Sequence, residues 1–217
     1  MGLPIAMALL MVATYLICGI PFGLLIARAM GGGDVRSKGS GNIGTTNVAR
    51  TVGAKAAGLT LLADVLKGVV CVVVARAVLA AVFFDGDASV VAADGEKGWL
   101  CALVYLCCIL GHVFSPYLGF HGGKGIAAGF GGALGFCWPL ALGLLLVFVL
   151  LVVPTRYVSL GSCCAAASLP VWGLVMGVRA PGVAVLLAIA VVVIWAHRAN
   201  LARLAHGEER RFSFHKE

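Results

Sequence analysis

Charge is what this sequence has least of. Only 12% of its 217 residues are Asp, Glu, Lys or Arg, and 61% are hydrophobic, whereas a water-soluble domain carries about 25% charged and about 45–50% apolar residues. So small a polar share cannot cover a soluble globule of this size, and the mean hydropathy of +1.05 directs the chain into lipid. Negative charge is scarcer than positive: nine acidic residues stand against sixteen basic ones. In a soluble chain that excess would raise nucleic acid. Here the basic residues cluster in loops between apolar runs, as cytoplasmic loops retain Lys and Arg, and no nucleic-acid partner is expected. Metal-ligand spacing is missing too. Cys18, Cys71, Cys101, Cys107, Cys108, Cys137, Cys163 and Cys164 all fall in apolar runs, none in C-x-x-C or Cys/His spacing, so they read as small hydrophobes and no metal is implied.

Long apolar runs are what the chain has instead. They lie at about 3–27, 58–84, 98–117, 138–153, 157–177 and 181–196, near the length of about 20 residues that a bilayer-crossing helix needs. A shorter glycine-rich stretch covers about 123–137. The first run has no basic leader or small-residue cleavage site and is read as a permanent helix. Polar residues collect at 28–57, 111–126 and 197–217, while the 85–97 loop holds four of the nine acidic residues. Positive-inside reasoning places Arg28, Arg36, Lys38, Arg50 and Lys55 in the cytoplasm, together with the tail carrying Arg198, Arg203, Arg210, Arg211 and Lys216. The acidic loop then faces outside, and parity demands an odd number of crossings. The expectation is an all-α integral membrane protein with seven transmembrane helices, one short and glycine-rich. Its N-terminus is outside, its C-terminus is cytoplasmic, and residues 1–217 form a single domain. The rival is a re-entrant 118–137 segment, which membranes admit only where protein or water satisfies its backbone.

Three polar segments carry candidate chemistry. Residues 36–47 contain Gly39-x-Gly41-x-x-Gly44, a formal dinucleotide fingerprint that has meaning only after a strand in a βαβ unit. It follows an apolar helix here, so that reading is excluded. Glycines do allow successive amides to converge on an anion. Ser40, Asn42, Thr45, Thr46 and Asn47 add donors, and Lys38 and Arg50 add charge; the bland alternative is a capping loop. The second segment ends in Gly122-Gly123-Lys124-Gly125. It lacks the spacing of a nucleotide-binding P-loop, yet a glycine loop opening a helix still offers amides to a phosphate. Transporters use such broken helices as well, so this feature alone does not separate enzyme from carrier. In the third, His197 and Asn200 share a helix face at i,i+3. The alternative is an interfacial basic helix, to which His206, His215 and Arg210–Arg211 belong. Asp64 and Lys67 are also i,i+3, inside the second run. They make either a structural ion pair or a place where Lys67 faces the phosphate cavity, and the second is taken.

Gly39-Ser-Gly-Asn-Ile-Gly-x-Thr-Asn47 with Arg50, Gly111-His-x-Phe with Gly122-Gly-Lys-Gly125, and His197-x-x-Asn200-x-x-Arg203-Leu with Gly207-x-Glu209 occur in that order. With Asp64-x-x-Lys67-Gly68 they resemble the acyl-phosphate-dependent glycerol-3-phosphate acyltransferases of bacterial membranes, over about residues 34–210. Ser115-Pro116 departs from the family pattern in local loop register. The resemblance implies transfer of a fatty acyl group from acyl phosphate to the 1-hydroxyl of sn-glycerol 3-phosphate. The products are 1-acylglycerol 3-phosphate (lysophosphatidate) and phosphate, an early step of phospholipid synthesis. It implies catalytic parts for Ser40, Lys124, His197 and Asn200, and substrate or phosphate binding by Asn42, Thr46, Asn47, Arg50, Lys67, Gly122, Gly123 and Gly125, with Glu209 structural. It implies no cofactor or metal, a multi-pass place in the bacterial inner membrane, and a site facing the cytoplasm. Partners would be membrane lipid, the two substrates and a soluble enzyme that makes acyl phosphate. Phosphate is a good leaving group, so no Ser or Cys nucleophile is required. His197 is the obvious base for the attacking hydroxyl; the alternative is that the leaving phosphate takes the proton while His197 binds phosphate, and the resemblance favours the latter. No His-x4-Asp dyad occurs in the sequence, which argues against acyltransferases whose base is such a pair.

Overall fold

In hydrocarbon a backbone N–H or C=O has no water to turn to, so a spanning segment must satisfy its own backbone, and helices do so. The computed structural model describes residues 2–212 and is helical throughout; His215 and Lys216 of the basic tail lie outside the described residues. The helices are α1 (Leu3–Gly19), α2 (Phe22–Ala29), α3 (Thr45–Thr51), α4 (Ala54–Phe83), α5 (Gly98–Val113), α6 (Ile126–Phe136), α7 (Trp138–Thr155), α8 (Val158–Val175), α9 (Ala180–Ala196) and α10 (Arg198–Ala205). Single 3₁₀ turns occupy Val35–Ser37 and Pro116–Leu118.

Five segments are long and apolar enough to cross a bilayer: Leu3–Ala29, Ala54–Phe83, Gly98–Leu118, Trp138–Thr155 and Val158–Val175. The pair α9 and α10, bent by 60°, makes a sixth when taken as one span. All six apolar runs read from the sequence therefore fall on helices. The first is broken where the sequence suggested continuity, because Pro21 has no N–H to extend α1 and instead opens α2. The glycine-rich stretch is a helix of eleven residues, about 16 Å long at about 1.5 Å per residue, short beside a hydrocarbon core of about 30 Å.

Apolar residues cover the outside as well as the inside. Val153 is 72% exposed and Leu150 63%, which suits a surface solvated by lipid. Inside, the Tyr105 and Phe136 rings pack 6.2 Å apart among Ile109, Leu140 and Leu186. Helix contacts rely on small residues, since lipid supplies no hydrophobic drive between helices and close packing must do the work. A Cβ on Gly131 would collide with the Val65 carbonyl, and one on Gly135 would press on Val69. The two contacts advance by four residues on each helix, so α6 runs alongside α4 in the same direction. Likewise α1 and α5 run together: Leu3, Pro4 and Met7 lie by Trp99, Leu100 and Leu103, and Tyr15 and Gly19 meet Gly111 at the other end. At the far end of α6, Arg76 and Asp94 line a cavity of about 220 Å³ with the 134–139 backbone. All eight cysteines are free, and the closest recorded approach, Cys18 to Cys71, leaves their sulfurs 3.9 Å apart.

The α4–α6 contact predicts a test. Gly131→Val forces a branched side chain against backbone, overpacking that costs about 1–3 kcal/mol, and should lower Tm in detergent by several degrees. Gly58→Ala on α4, where a Cβ meets open space, should leave Tm at or above the parent value.

Candidate active site

The first loop is built around one buried amide. Asn47 Nδ2 donates to the carbonyls of Val35, Lys38 and Asn42 at 2.9, 3.2 and 2.8 Å, and its Oδ1 accepts the Ser40 N–H at 2.8 Å. Gly39 stands at φ 61°, where an L side chain is strained, and a Cβ there would strike Asn47 Oδ1. Asn42 Oδ1 accepts the Gly44 N–H at 2.8 Å. Both asparagines, expected as substrate donors, therefore commit the amide atoms named here to the loop itself. Asp34 closes the outer turn by accepting from Arg36 and Arg28 at 2.6 and 3.1 Å; Arg36 above all holds its carboxyl well below the usual range. What the loop presents is an exposed Ser40 flanked by two glycines, Thr46 on the first turn of α3, and Arg50 on its last turn. The Ser40 hydroxyl takes no hydrogen bond from, and gives none to, another described residue. Thr45 Oγ1 is buried with no hydrogen-bond partner among the described residues.

The second loop docks on the end of α5. Gly122 donates to the Val113 carbonyl and Gly123 to the His112 carbonyl, both at 2.9 Å. Those two amides are thus taken, and neither glycine has a free N–H for a phosphate as the sequence suggested. Their value is close approach: a Cβ on Gly123 would collide with the His112 ring. Gly125 caps α6 in the left-handed region. Ser115, the residue at the departure in register, is buried and donates to the Gly19 carbonyl at 2.7 Å, so the loop is tied to the break after α1.

Lys124 joins the second loop to the third segment. Its Nζ donates to Asn200 Oδ1 at 2.5 Å. Asn200 Nδ2 donates to Glu209 Oε1 at 2.6 Å, Ser159 Oγ donates to the same oxygen at 2.8 Å, and Arg203 Nε donates to Oε2 at 2.9 Å. Glu209 thus holds Asn200, and Asn200 holds Lys124. Burial lowers the Lys124 pKa, and the positive charges of Arg203 and Arg50 lower it further against the pull of Glu209. Burial works to raise Glu209, but hydrogen bonds from Asn200, Ser159 and Arg203 outweigh it and leave the carboxyl below its ordinary value. Arg50 lies within electrostatic reach of Arg210, Glu209 and Arg203, so the first loop belongs to the same cluster. His197, at the α9–α10 bend, is buried with Nδ1 2.8 Å from the Val193 carbonyl. A carbonyl only accepts, so Nδ1 carries the proton and a neutral ring keeps a lone pair at Nε2.

Lys67 is not part of this cluster. Its ammonium meets Asp64 Oδ1 at 2.7 Å, the Ile20 carbonyl at 2.9 Å and His112 Nδ1 at 3.1 Å. The ammonium is ion-paired with Asp64 and hydrogen-bonded to Ile20 and His112 inside the bundle, so the expectation that Lys67 faces the phosphate cavity gives way to an interior network. Two contributors escaped the sequence reading. Ser159 is one of three serines in the apolar run 157–177, with no spacing to mark it. His112 lies inside a motif, but its role depends on neighbours from other helices. Among the described residues no group of three His, Cys, Asp or Glu side chains is placed to hold a metal ion.

The geometry has counterparts. The family model described as glycerol-3-phosphate acyltransferase matches residues 8–207. The glycerol-3-phosphate acyltransferase of Geobacter sulfurreducens is 44% identical over 204 residues, covering 94% of this chain and 96% of that protein. That of Brucella anthropi is 41% identical, covering 91% and 89%. Among solved structures, PlsY (YgiH), an integral membrane glycerol 3-phosphate acyltransferase, superposes in its glycerol 3-phosphate form with a TM-score of 0.82 at 33% identity, covering 95% of this chain and 96% of that one. Its lysophosphatidic acid form gives 0.81 at 31% identity, covering 97% of each. Since the match runs through all three polar segments and the membrane helices between them, the chain belongs to the glycerol-3-phosphate acyltransferase family and is an integral membrane acyltransferase of the PlsY type.

Proposed function

We propose that the acyl donor is acyl phosphate, that the acceptor is the 1-hydroxyl of sn-glycerol 3-phosphate, and that the products are 1-acylglycerol 3-phosphate and inorganic phosphate. The observation that carries this reading is the Lys124–Asn200 contact, which draws cations of all three segments into one cluster. Among the described residues, Arg50, Lys124, Arg203 and Arg210 stand there against one carboxylate, Glu209. Such an excess of positive charge in a half-buried place calls for anions, and both proposed substrates bring a phosphate. The free amides at the start of α6, beside Lys124, add the positive end of a helix dipole.

The acceptor hydroxyl attacks the acyl carbonyl carbon, the bond from that carbon to the phosphate oxygen breaks, and the hydroxyl proton ends on the departing phosphate. His197 offers a lone pair at Nε2, because its N–H is committed to Val193. That lone pair accepts a hydrogen bond from the attacking hydroxyl and aims it; a phosphate ligand would instead need a second ring proton. Ser40, whose hydroxyl has no hydrogen-bond partner among the described residues, donates to the carbonyl oxygen as charge develops there. Lys124 and Arg50 hold phosphate, and Gly125 shapes the turn that opens α6. Thr46 faces the same loop. PlsY structures with glycerol 3-phosphate and with lysophosphatidic acid are consistent with this pair of acceptor and product.

The same reading takes the chain as one acyltransferase domain of the bacterial inner membrane with seven crossings, the N-terminus outside and the site at the cytoplasmic edge. Support for the seventh crossing comes from α6: it leaves the Lys124 end, runs parallel to α4, and finishes beside Arg76 and Asp94. The basic cluster lies at one end of the bundle and the acidic 85–97 loop at the other, as the charge rule expects. A mixed anhydride such as acyl phosphate is prone to hydrolysis in water, which favours supply by a soluble acyl-phosphate-forming enzyme close to the membrane.

Three outcomes test the proposal. Purified protein should release phosphate from acyl phosphate only when glycerol 3-phosphate is present. Acyl-coenzyme A and acyl carrier protein thioesters should give no product, and equal turnover with either would remove the assigned donor. Lys124→Met and Asn200→Ala should each lower kcat by about 10²–10³, the range for loss of one donor that stabilises a transition state, with the protein still folded in the membrane. Glu209 provides a pH test. Its folded pKa lies below the unfolded value, so its contribution is complete above about 4.3 and is lost as pH falls through the folded pKa. The Tm gap between the parent and Glu209→Gln should therefore be widest near neutrality and shrink below about pH 4. A gap that grows on acidification contradicts the assignment of Glu209 as an ionised anchor.

A further inference from the structure

We infer that Asp64, Lys67 and His112 form a buried positioning unit that sets the place of Lys124 and couples the two glycine loops. This rests on the reading of Lys124 as a phosphate ligand. The ammonium of Lys67 donates to the Ile20 carbonyl and to His112 Nδ1 and is ion-paired with Asp64 Oδ1. His112 Nδ1 must then accept, so the proton of a neutral ring is on Nε2. The imidazole is fixed in both tautomer and orientation by a residue from another helix.

The fixed ring fills the space where a Gly123 side chain would stand, with Nε2 its closest atom. The His112 carbonyl also accepts the Gly123 N–H at 2.9 Å. One residue therefore holds Gly123 from two directions, and Lys124, next in the chain, starts its reach to Asn200 from that clamped peptide. A ring tilted by loss of the Lys67 contact frees the volume beside Gly123, and the turn can shift by the fraction of an ångström that matters to a charged ligand. On its other side the same ammonium holds the Ile20 carbonyl at the break before α2. Gly23 of α2 in turn lies against the Ile43 carbonyl in the first loop. A single charged group is thus connected to the mounts of both loops.

Stability alone is a poor reason for such a unit. A buried ion pair is often matched or bettered by apolar residues of the same volume, while removal of one partner alone is strongly destabilising. That asymmetry supplies the experiment. Asp64→Leu/Lys67→Met removes both charges together and should fold in detergent with a Tm close to the parent. His112→Phe keeps ring volume against Gly123 but takes the Nδ1 acceptor from Lys67, and gives an independent second case. The direct readout is labelling of Lys124 by an amine-reactive reagent, followed by peptide mass spectrometry with exposed Lys55 as the internal reference. In both variants Lys124 labelling should rise several-fold as the side chain leaves Asn200, and KM for glycerol 3-phosphate should rise about tenfold with a smaller change in kcat. Gly123→Ala should be severe in the parent and add little in a His112→Ala background, where the methyl has room. Parent-like labelling and KM in either folded variant overturn the positioning unit. Normal turnover by Lys124→Met would instead overturn the role given to Lys124, and the labelling result would still decide whether the unit places it.

Discussion

Hydrocarbon cannot solvate a polar group, and the whole structure follows from where that rule is met and where it is relaxed. Within the bundle the backbone is bonded chiefly inside its own helices, side chains serve carbonyls at a break such as that after α1, and the charged residues that enter must find partners in the protein. Asp64 and Lys67 meet that condition with one another, with His112 and with a main-chain carbonyl. At the end of the bundle that gathers the loops, polar atoms are released from the rule and can be left with bonding capacity to spare. The cluster of Arg50, Lys124, Arg203 and Glu209 exists because three chain segments end their membrane helices side by side there.

A loop that binds anions must hold its own shape before it can offer anything outward. Much of the polar content of the first two loops does this internal work. Asn47 is knotted to three carbonyls, Asn42 closes a turn onto Gly44, and Gly122 and Gly123 give their amides to the end of α5. The groups left over are few and distinct in type: a hydroxyl at Ser40, an imidazole lone pair at His197 and a set of cations. Preorganisation of this kind matters because a donor already held in place needs no rearrangement when charge develops on a substrate. Glu209 shows the same division. Its oxygens are bonded to Asn200, Ser159 and Arg203, so it braces the site without offering a free negative charge to repel phosphate.

The close passage of α6 along α4 gives the bundle its tight end. Gly131 and Gly135 bring the two backbones together, and the short helix carries Lys124 at its entrance. Because α6 packs on the same helix that bears Asp64 and Lys67, the loop that opens it is mounted on the interior charge network and is not merely attached to a flexible turn. Fold and chemistry meet at that joint.

By itself the amino-acid sequence decided the solvent and the chemistry: too few charges for water, apolar runs at 58–84 and 138–153 long enough for lipid, and three donor-rich segments in an order that marks the family. These are readable locally because hydropathy and motif spacing are properties of contiguous residues. Only the tertiary structure decided which polar atoms remain free. Asn47 and Lys67 look as available as Ser40 and Lys124 when read along the chain, yet the partners that hold Lys67 come from residues 20, 64 and 112, and Ser159 reaches Glu209 across fifty positions. Each donor or acceptor has a fixed number of bonds to give, and what is left for a substrate is settled by neighbours that only folding brings within 3 Å or so.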